Sequence, residues 1–195
     1  MKPSCIILAG PNGSGKSSIY EKLQPPGRFI NADNIASSLN PSLPVNIKRV
    51  RAGRATVSLI DQMISSKDSF VFETTLSSSH SIDTMQKAKR AGFHVGLIYV
   101  ILYRAEQNIE RVRFRVKNGG HDIPTVDIIR RYKKSLDNLP KAVALSDEGV
   151  VIDNSEREPL FLAEFRRDGQ ITHKHIATDG ETELHMRLNT IITNA

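Results

Sequence analysis

Apolar residues fall along this chain in two rhythms. Short stretches rich in apolar residues occur at 4–9 (Cys5, Ile6, Ile7, Leu8), 28–31, 69–72, 93–102 and 150–152. Short apolar runs without alternation are typical of strands covered on both faces in a parallel sheet. Between them lie segments with helical spacing. One covers 16–23 and is stopped by Pro25-Pro26-Gly27. A second covers 45–65, with Val50, Val57, Ile60 and Ile64 on its apolar side. A third runs to about Arg90 and is closed by Gly92, and a fourth, 105–117, ends in Gly119-Gly120. The last covers 124–145, with Pro124 at a favourable starting position. The stretch around Pro41 and Pro44 reads as irregular.

Strand and helix thus alternate as far as Asp153, which predicts an α/β fold with a mainly parallel sheet flanked by helices and right-handed crossovers. Ligands in such folds bind at the carboxyl ends of the strands. Beyond residue 155 the rhythm changes. Residues 160–165 and 171–175 read as a small β-hairpin turned at Asp168-Gly169. The expected organisation is one domain over 1–195, to which 156–195 is appended as a hairpin and tail.

The first strand runs into Gly10-Pro11-Asn12-Gly13-Ser14-Gly15-Lys16-Ser17. The pattern Gly-x4-Gly-Lys-Ser, placed between a buried strand and a helix, is a P-loop. Its glycines permit close approach of backbone amides to phosphate oxygens, and the helix N-terminus adds to their pull. Lys16 supplies a cation to the phosphates of ATP, and the Ser17 hydroxyl is expected on Mg²⁺. The fold class sharpens to that of a P-loop NTPase or kinase.

Other residues gather at the same sheet edge. Asp33 closes the second strand, where a carboxylate suits a general base for an attacking hydroxyl; Asp33 or Asn34 as a simple helix cap is the alternative. Glu73, Thr74 and Thr75 end the third strand and are candidates for the acceptor or a metal-bound water. The alternative pairs Glu73 with an arginine and leaves Thr75 or Ser77–Ser79 to cap the next helix. In the fourth helix Ile109, Val112 and Val116 form the buried stripe, while Arg111 and Arg115, four apart, share a face. Arginines stabilise the charge of a transferred phosphoryl group, and Gly119-Gly120 supplies a hinge for a lid. Arg130 and Arg131 are candidates to complete the clamp, and His121 to touch phosphate or substrate. His173 and His175 share a strand face without a third ligand, so no metal site is assigned to them.

Charge and composition then narrow the classes. The chain has 195 residues, 27 Lys and Arg against 21 Asp and Glu, and a net charge of +6. Such a balance attracts polyanions. Yet there is no Trp and only 6% aromatic residues, so a nucleic-acid platform of stacked bases is not expected. Positive charge for ATP and a second phosphorylated ligand accounts for the excess. The single cysteine, Cys5, fits core packing in a reducing cytoplasm, and no run is long enough to span a membrane.

Taken together, Ala9–Ser17, Phe29-Ile30-Asn31-Ala32-Asp33, Phe72-Glu73-Thr74-Thr75, the stretch from Arg111 through Gly119-Gly120-His121-Asp122-Ile123-Pro124 to Arg131-Tyr132, and Asp153-Asn154-Ser155 resemble the zeta toxin family of kinases. The resemblance covers roughly residues 4–155, in order. It implies an ATP- and Mg²⁺-dependent kinase with Asp33 as general base, Lys16 on the phosphates, lid arginines on the transferred group and Glu73 in the substrate pocket. Ser18 and Asn154 join the P-loop residues in the nucleotide-binding set. It also implies a small-molecule acceptor, with UDP-N-acetylglucosamine as the family's best-known example, and a protein antitoxin as a partner to look for. An NTP-driven binding switch and a polynucleotide kinase are the competing classes.

Replacing Lys16 by Ala is expected to abolish phosphate transfer and sharply weaken ATP binding, because a charge-assisted contact is lost. Calorimetric titration with ATP checks this, and unchanged affinity would count against the P-loop assignment.

Overall fold

The computed structural model describes residues 2–167, 171–172 and 183–193. Its elements run β1 (Ser4–Ala9), α1 (Lys16–Leu23), β2 (Arg28–Ile30), α2 (Ala32–Ser38), α3 (Val45–Ser66), β3 (Phe70–Thr74), α4 (Ser79–Arg90), β4 (His94–Ile101), α5 (Ala105–Lys117), α6 (Thr125–Leu145), β5 (Glu148–Asp153), β6 (Leu160–Arg166), β7 (Ile171–Thr172) and α7 (Glu183–Thr193). Among the described residues one seven-stranded sheet forms, in the order β2-β3-β1-β4-β5-β6-β7. The strands from β2 to β5 are parallel; β6 and β7 are antiparallel additions at one edge. The expected turn at Asp168-Gly169, and His173 and His175, lie outside the described residues.

The apolar stretches are explained by burial on both faces. On one face Ile7, Phe72, Leu97 and Tyr99 join Ile60 and Met63 of α3, Met85 of α4, Leu139 of α6 and Leu188 of α7 in the main core. On the other, Leu8, Val71, Ile98 and Val100 meet Ile19 of α1. A third cluster, Ile109, Val112, Ile123 and Ile128, ties α5 to α6 beneath the loop between them. Cys5 is fully buried, and burial pushes its thiol up to about 12, as a core-filling role requires.

One expectation needs correction. The buried stripe of α3 is Ala52, Thr56, Ile60 and Met63, whereas Val50 and Val57 are 53% and 37% exposed. Ala52 and Thr56 extend the stripe of Ile60 and Met63 towards the cavities, so a pattern read from large apolar residues alone is rotated away from it. A helix does follow β2, as the cap reading of Asp33 or Asn34 allowed, and α2 leads toward α3. The end of the chain provides α7, whose Leu184, Leu188 and Ile192 pack into the main core.

Asp147, between α6 and β5, pins the lower edge of the sheet. It accepts from the Val95 amide at 2.9 Å and pairs with Lys89 at 3.2 Å and Arg167 at 3.1 Å. Burial raises its pKa, but the Val95 amide and the two cations outweigh it and hold the carboxyl below its ordinary value. A carboxylate with a depressed folded value stabilises above its unfolded value, and that contribution is lost as pH falls through the folded one. Asp147→Asn is therefore expected to flatten the loss of stability between about pH 5 and pH 2. Denaturant melts across that range check it; an unchanged acid limb would contradict the assignment.

Candidate active site

The P-loop leaves β1 at the centre of the sheet. Leu8 and Ala9 are in register with Glu73 and Thr74, and the Gly10 amide donates to the Thr74 carbonyl at 3.2 Å. The loop therefore begins beside the acidic end of β3. Gly10 has φ 144°, and a Cβ there would lie 1.9 Å from the Val100 carbonyl oxygen. Gly15 has φ 90°, and a Cβ would meet the Asn154 amide nitrogen at 2.2 Å. Neither position accepts a side chain.

Gly15 occupies the cap position of α1 without a side-chain cap, which leaves the first-turn amides open. The Ser14 hydroxyl is buried with no partner among the described residues. Open amides, an orphaned hydroxyl and a cradle that excludes Cβ atoms fit a bound phosphate chain. Ser17 and Ser18 are exposed on the first turn of α1. No cluster of three or more His, Cys, Asp or Glu side chains among the described residues is suited to hold a metal by itself.

Lys16 is buried, and its ammonium donates to the carbonyls of Gly10 at 2.9 Å and Pro11 at 3.1 Å. Glu73 Oε1 lies 3.7 Å away. Burial lowers the Lys16 pKa, and the carboxylates of Glu73 and Asp33 pull against that shift. Glu73 is thus paired with Lys16 rather than with an arginine. Its other oxygen accepts from Asn31 Nδ2 at 2.7 Å.

Asn31 went unremarked as a functional residue in the sequence. Its Oδ1 accepts from the amides of Asp33 at 2.7 Å and Asn34 at 3.1 Å, so Asn31 is the cap of α2. The cap role considered for Asp33 and Asn34 is therefore filled by Asn31, two and three residues before them. The Asp33 carboxylate has no hydrogen bond or ion pair among the described residues and faces two neighbouring cavities.

Those cavities, about 250 and 260 Å³, share Asn12, Ala32, Asp33, Gly53 and Arg131. The first continues to Lys16, Glu73, Thr74, Thr75 and His80, whose Nε2 is buried and unpartnered. The second continues to Arg49, His121, Ile123 and Asp127. A larger depression of about 500 Å³, over Ile98, Glu148 and Phe165, lies away from the P-loop and holds none of these groups.

Of the arginines, Arg131 enters the site: its Nη1 donates to Asn12 Oδ1 at 2.9 Å. Arg111 donates to the carbonyls of Asn154 at 2.7 Å and Ser155 at 3.2 Å. Asn154 in turn donates to the Ser14 carbonyl at 2.8 Å, so this pair braces the loop from the β5 side. Arg115 donates to the His121 carbonyl at 3.1 Å, and its charge reaches Lys16. Arg130 does not join a clamp: it is exposed and paired with Asp127 at 2.8 Å. A helix position one residue from Arg131 points about 100° away, which separates the two. Thr74 bonds Ser81 at 2.7 Å and Thr75 bonds Ser77 at 2.8 Å, and Ser78 starts α4 without a side-chain cap. Besides Asn31, two residues carried no signal in the sequence. Asn108 is fully buried and donates to the Asn12 carbonyl at 2.7 Å. Arg49 Nη2 meets His121 Nε2, joining α3 to the loop after α5.

A fold of this kind, with a complete P-loop at the central strand and an acid at the end of the neighbouring one, is that of the P-loop kinases. The chain belongs to the AAA domain family (AAA_33), whose model matches residues 5–139. An uncharacterized protein of Haemophilus influenzae is 37% identical over 133 residues, covering 68% of this chain and 94% of that one. Among solved structures, a chain of the PezAT chromosomal toxin–antitoxin system of Streptococcus pneumoniae superposes with TM-score 0.64 at 16% identity, over 98% of this chain and 87% of that one. A chain of the AvrRxo1-ORF1:-ORF2 complex with ATP gives TM-score 0.68 at 19% identity, over 98% of this chain. This chain spans 64% of that chain's length. Among the described residues no helix is long and apolar enough to cross a membrane.

Asn31→Ala removes a cap and the donor to Glu73 together, and a loss of about 1–2 kcal/mol is expected. Asn31→Asp retains the cap but sets a second carboxylate against Glu73. It is expected to keep α2 helicity while still losing stability. Denaturant unfolding of both variants, with wild-type stability in Asn31→Asp as the contrary result, checks the double role.

Proposed function

We propose that the protein is an ATP- and Mg²⁺-dependent kinase that transfers the γ-phosphate to a hydroxyl of a small molecule. The observation that carries this reading is the unpartnered Asp33 carboxylate, facing a cavity that begins at Lys16. A switch that hydrolyses nucleotide needs a positioned water and no acceptor chamber. Here a carboxylate, threonine hydroxyls and an arginine line a space of about 250 Å³, the scale of a small polar molecule.

Each residue then has a task. The P-loop amides and Ser14 hold the phosphate chain of ATP. Lys16 leaves the carbonyls of Gly10 and Pro11 for the phosphates, with Glu73 as its counter-charge. Mg²⁺, held through Ser17, supplies neutralisation of phosphate charge. Asp33 takes the proton of the acceptor hydroxyl as its oxygen forms the new bond to the γ-phosphorus, the bond to the ADP oxygen breaks, and ADP leaves. Arg131, aided by Arg115 and Arg111 on the lid side, offsets the charge that spreads over the γ-phosphate oxygens. Glu73, Thr74 and Thr75 orient the acceptor, and His121 closes the far wall.

The finer reading is a zeta toxin-like enzyme acting on a nucleotide sugar such as UDP-N-acetylglucosamine, regulated by a protein antitoxin, in the cytoplasm. It is supported by the motif resemblance and by the toxin–antitoxin setting of PezAT. The organisation that goes with it is one kinase domain over 1–195 with 156–195 as its appended tail.

Asp33→Asn preserves shape and removes the proton acceptor. ATP is expected to bind as before, while transfer falls by about two to four orders of magnitude. Acceptor phosphorylation at saturating ATP, with a melting curve alongside, tests this. Near wild-type transfer by the folded variant would defeat the base assignment and move the role to Glu73. The clamp has its own signature. Arg131→Ala is expected to lower kcat and kcat/KM together, with little change in Tm, as for an interaction made mainly in the transition state.

A further inference from the structure

The turn that closes β5 gathers bonds from across the fold. The Asn154 amide donates to the Ile101 carbonyl at 2.9 Å, and the Tyr103 amide donates to Ser155 Oγ at 2.7 Å, which ties the turn to the end of β4. Asn154 Nδ2 ties it to the P-loop at Ser14, and Arg111 ties it to α5. At its root stands Asp153, the last residue of β5, a buried carboxylate at the end of the sheet where ligands bind. Its Oδ1 accepts from the amide and the hydroxyl of Ser155. Its Oδ2 accepts from His185 Nε2 at 2.9 Å, and the two side chains are only 9% and 13% exposed.

His185 belongs to α7, 32 positions further along the chain. Leu184 before it and Leu188 after it are buried in the main core, so the imidazole is carried to Asp153 by a fixed helix. A buried carboxylate short of a donor is costly, and the turn would rotate to regain one from water. Any rotation at Asp153 moves Asn154, the next residue. Space there is tight, because a Cβ on Gly15 would already meet Asn154 Nδ2 at 2.2 Å. A displaced Asn154 therefore either loses the Ser14 carbonyl or pushes the P-loop at Gly15, the cap position of α1. Arg111, which holds the carbonyls of Asn154 and Ser155, moves with the same turn.

We infer that His185 is a positioning residue of the nucleotide site: through Asp153 it sets the turn 153–155 that braces Ser14 and holds Arg111, and so couples α7 to ATP binding. The chain beyond β5 thus acts on the nucleotide as well as completing the core. This rests on nucleotide binding at the P-loop and not on transfer of phosphate to an acceptor. His185 touches neither phosphate nor base in this account. Its effect passes through one carboxylate and one turn.

Affinity for a non-hydrolysable ATP analogue with Mg²⁺ is measured by calorimetry on the full chain, with a melting curve for every variant. His185→Phe keeps the bulk of the ring and removes the donor. It is expected to weaken the analogue about tenfold, within the usual range for coupling between separate positions of a fold. His185→Gln offers an amide donor at similar reach and is expected to recover most of that loss. Ile192→Ala opens a cavity in the core about two turns further along α7, and is expected to lower Tm while binding the analogue as wild type does. Linkage requires the reverse effect too, so filling the P-loop is expected to slow hydrogen exchange in α7 of the wild type. That measurement needs no variant to fold. Wild-type affinity in folded His185→Phe, no recovery in His185→Gln, or an equal loss in Ile192→Ala would each overturn the inference. So would exchange in α7 that ignores the analogue. A wild type that binds no nucleotide overturns the P-loop reading together with this one, whereas affinity indifferent to His185 overturns this one alone.

Discussion

A buried ammonium at the carboxyl end of β1 sets the terms for everything around it. Lys16 is only 7% exposed, and a charge so placed costs several kcal/mol unless it is compensated. The carbonyls of Gly10 and Pro11 supply part of the compensation and Glu73 the rest. Glu73 is itself nearly enclosed, so it needs a fixed donor, which Asn31 provides. Asn31 in turn caps α2 and thereby sets the direction of Asp33. One demand, keeping a cation ready for phosphate, thus propagates through three strand ends and fixes the position of the proposed base. The sheet order makes this possible, because β3 lies directly beside β1 and β2 beside β3.

The opposite wall follows a different logic. Asn108 and Asn154 hold the P-loop by its carbonyls, at Asn12 and Ser14, while Arg111 holds the carbonyl of Asn154, and none of these bonds uses a loop amide. Bracing the acceptors of a loop while exposing its donors is what an anion cradle requires. The hydrophobic contact of α5 with α6 through Val112 and Ile128 carries Arg115 and Arg131 on the same rigid unit. Any movement of that unit relative to Asp33 would carry both arginines with it.

The strands, the P-loop and the parallel core were legible because each rests on local chemistry: apolar stretches, and glycines where no Cβ fits. Asp33, Glu73 and Arg131 were legible because each lies next to a strand end or a helix face that the P-loop makes meaningful. What escaped is instructive. Asn31 acts through both ends of one amide, and a single Asn at a strand end has no pattern to announce that. Arg49 meets His121 across 72 positions, a contact that only the folded chain creates. The α3 stripe was misread because half of its buried positions are Ala52 and Thr56, and hydrophobic size then points the wrong way. Helix α7 is too short and too mixed to be distinguished from a frayed end without the core that receives Leu188.

The central claim is that phosphate leaves ATP for an alcohol and not for water. The most direct test follows the γ-phosphorus by ³¹P NMR while the protein and Mg²⁺-ATP are incubated with sugars, nucleotide sugars and oligonucleotides in turn. The account predicts that, with one of the small hydroxylated molecules, ADP appears together with an equal amount of a new phosphomonoester. ADP accompanied by inorganic phosphate alone, whatever acceptor is supplied, would identify a nucleotide-hydrolysing switch and contradict it.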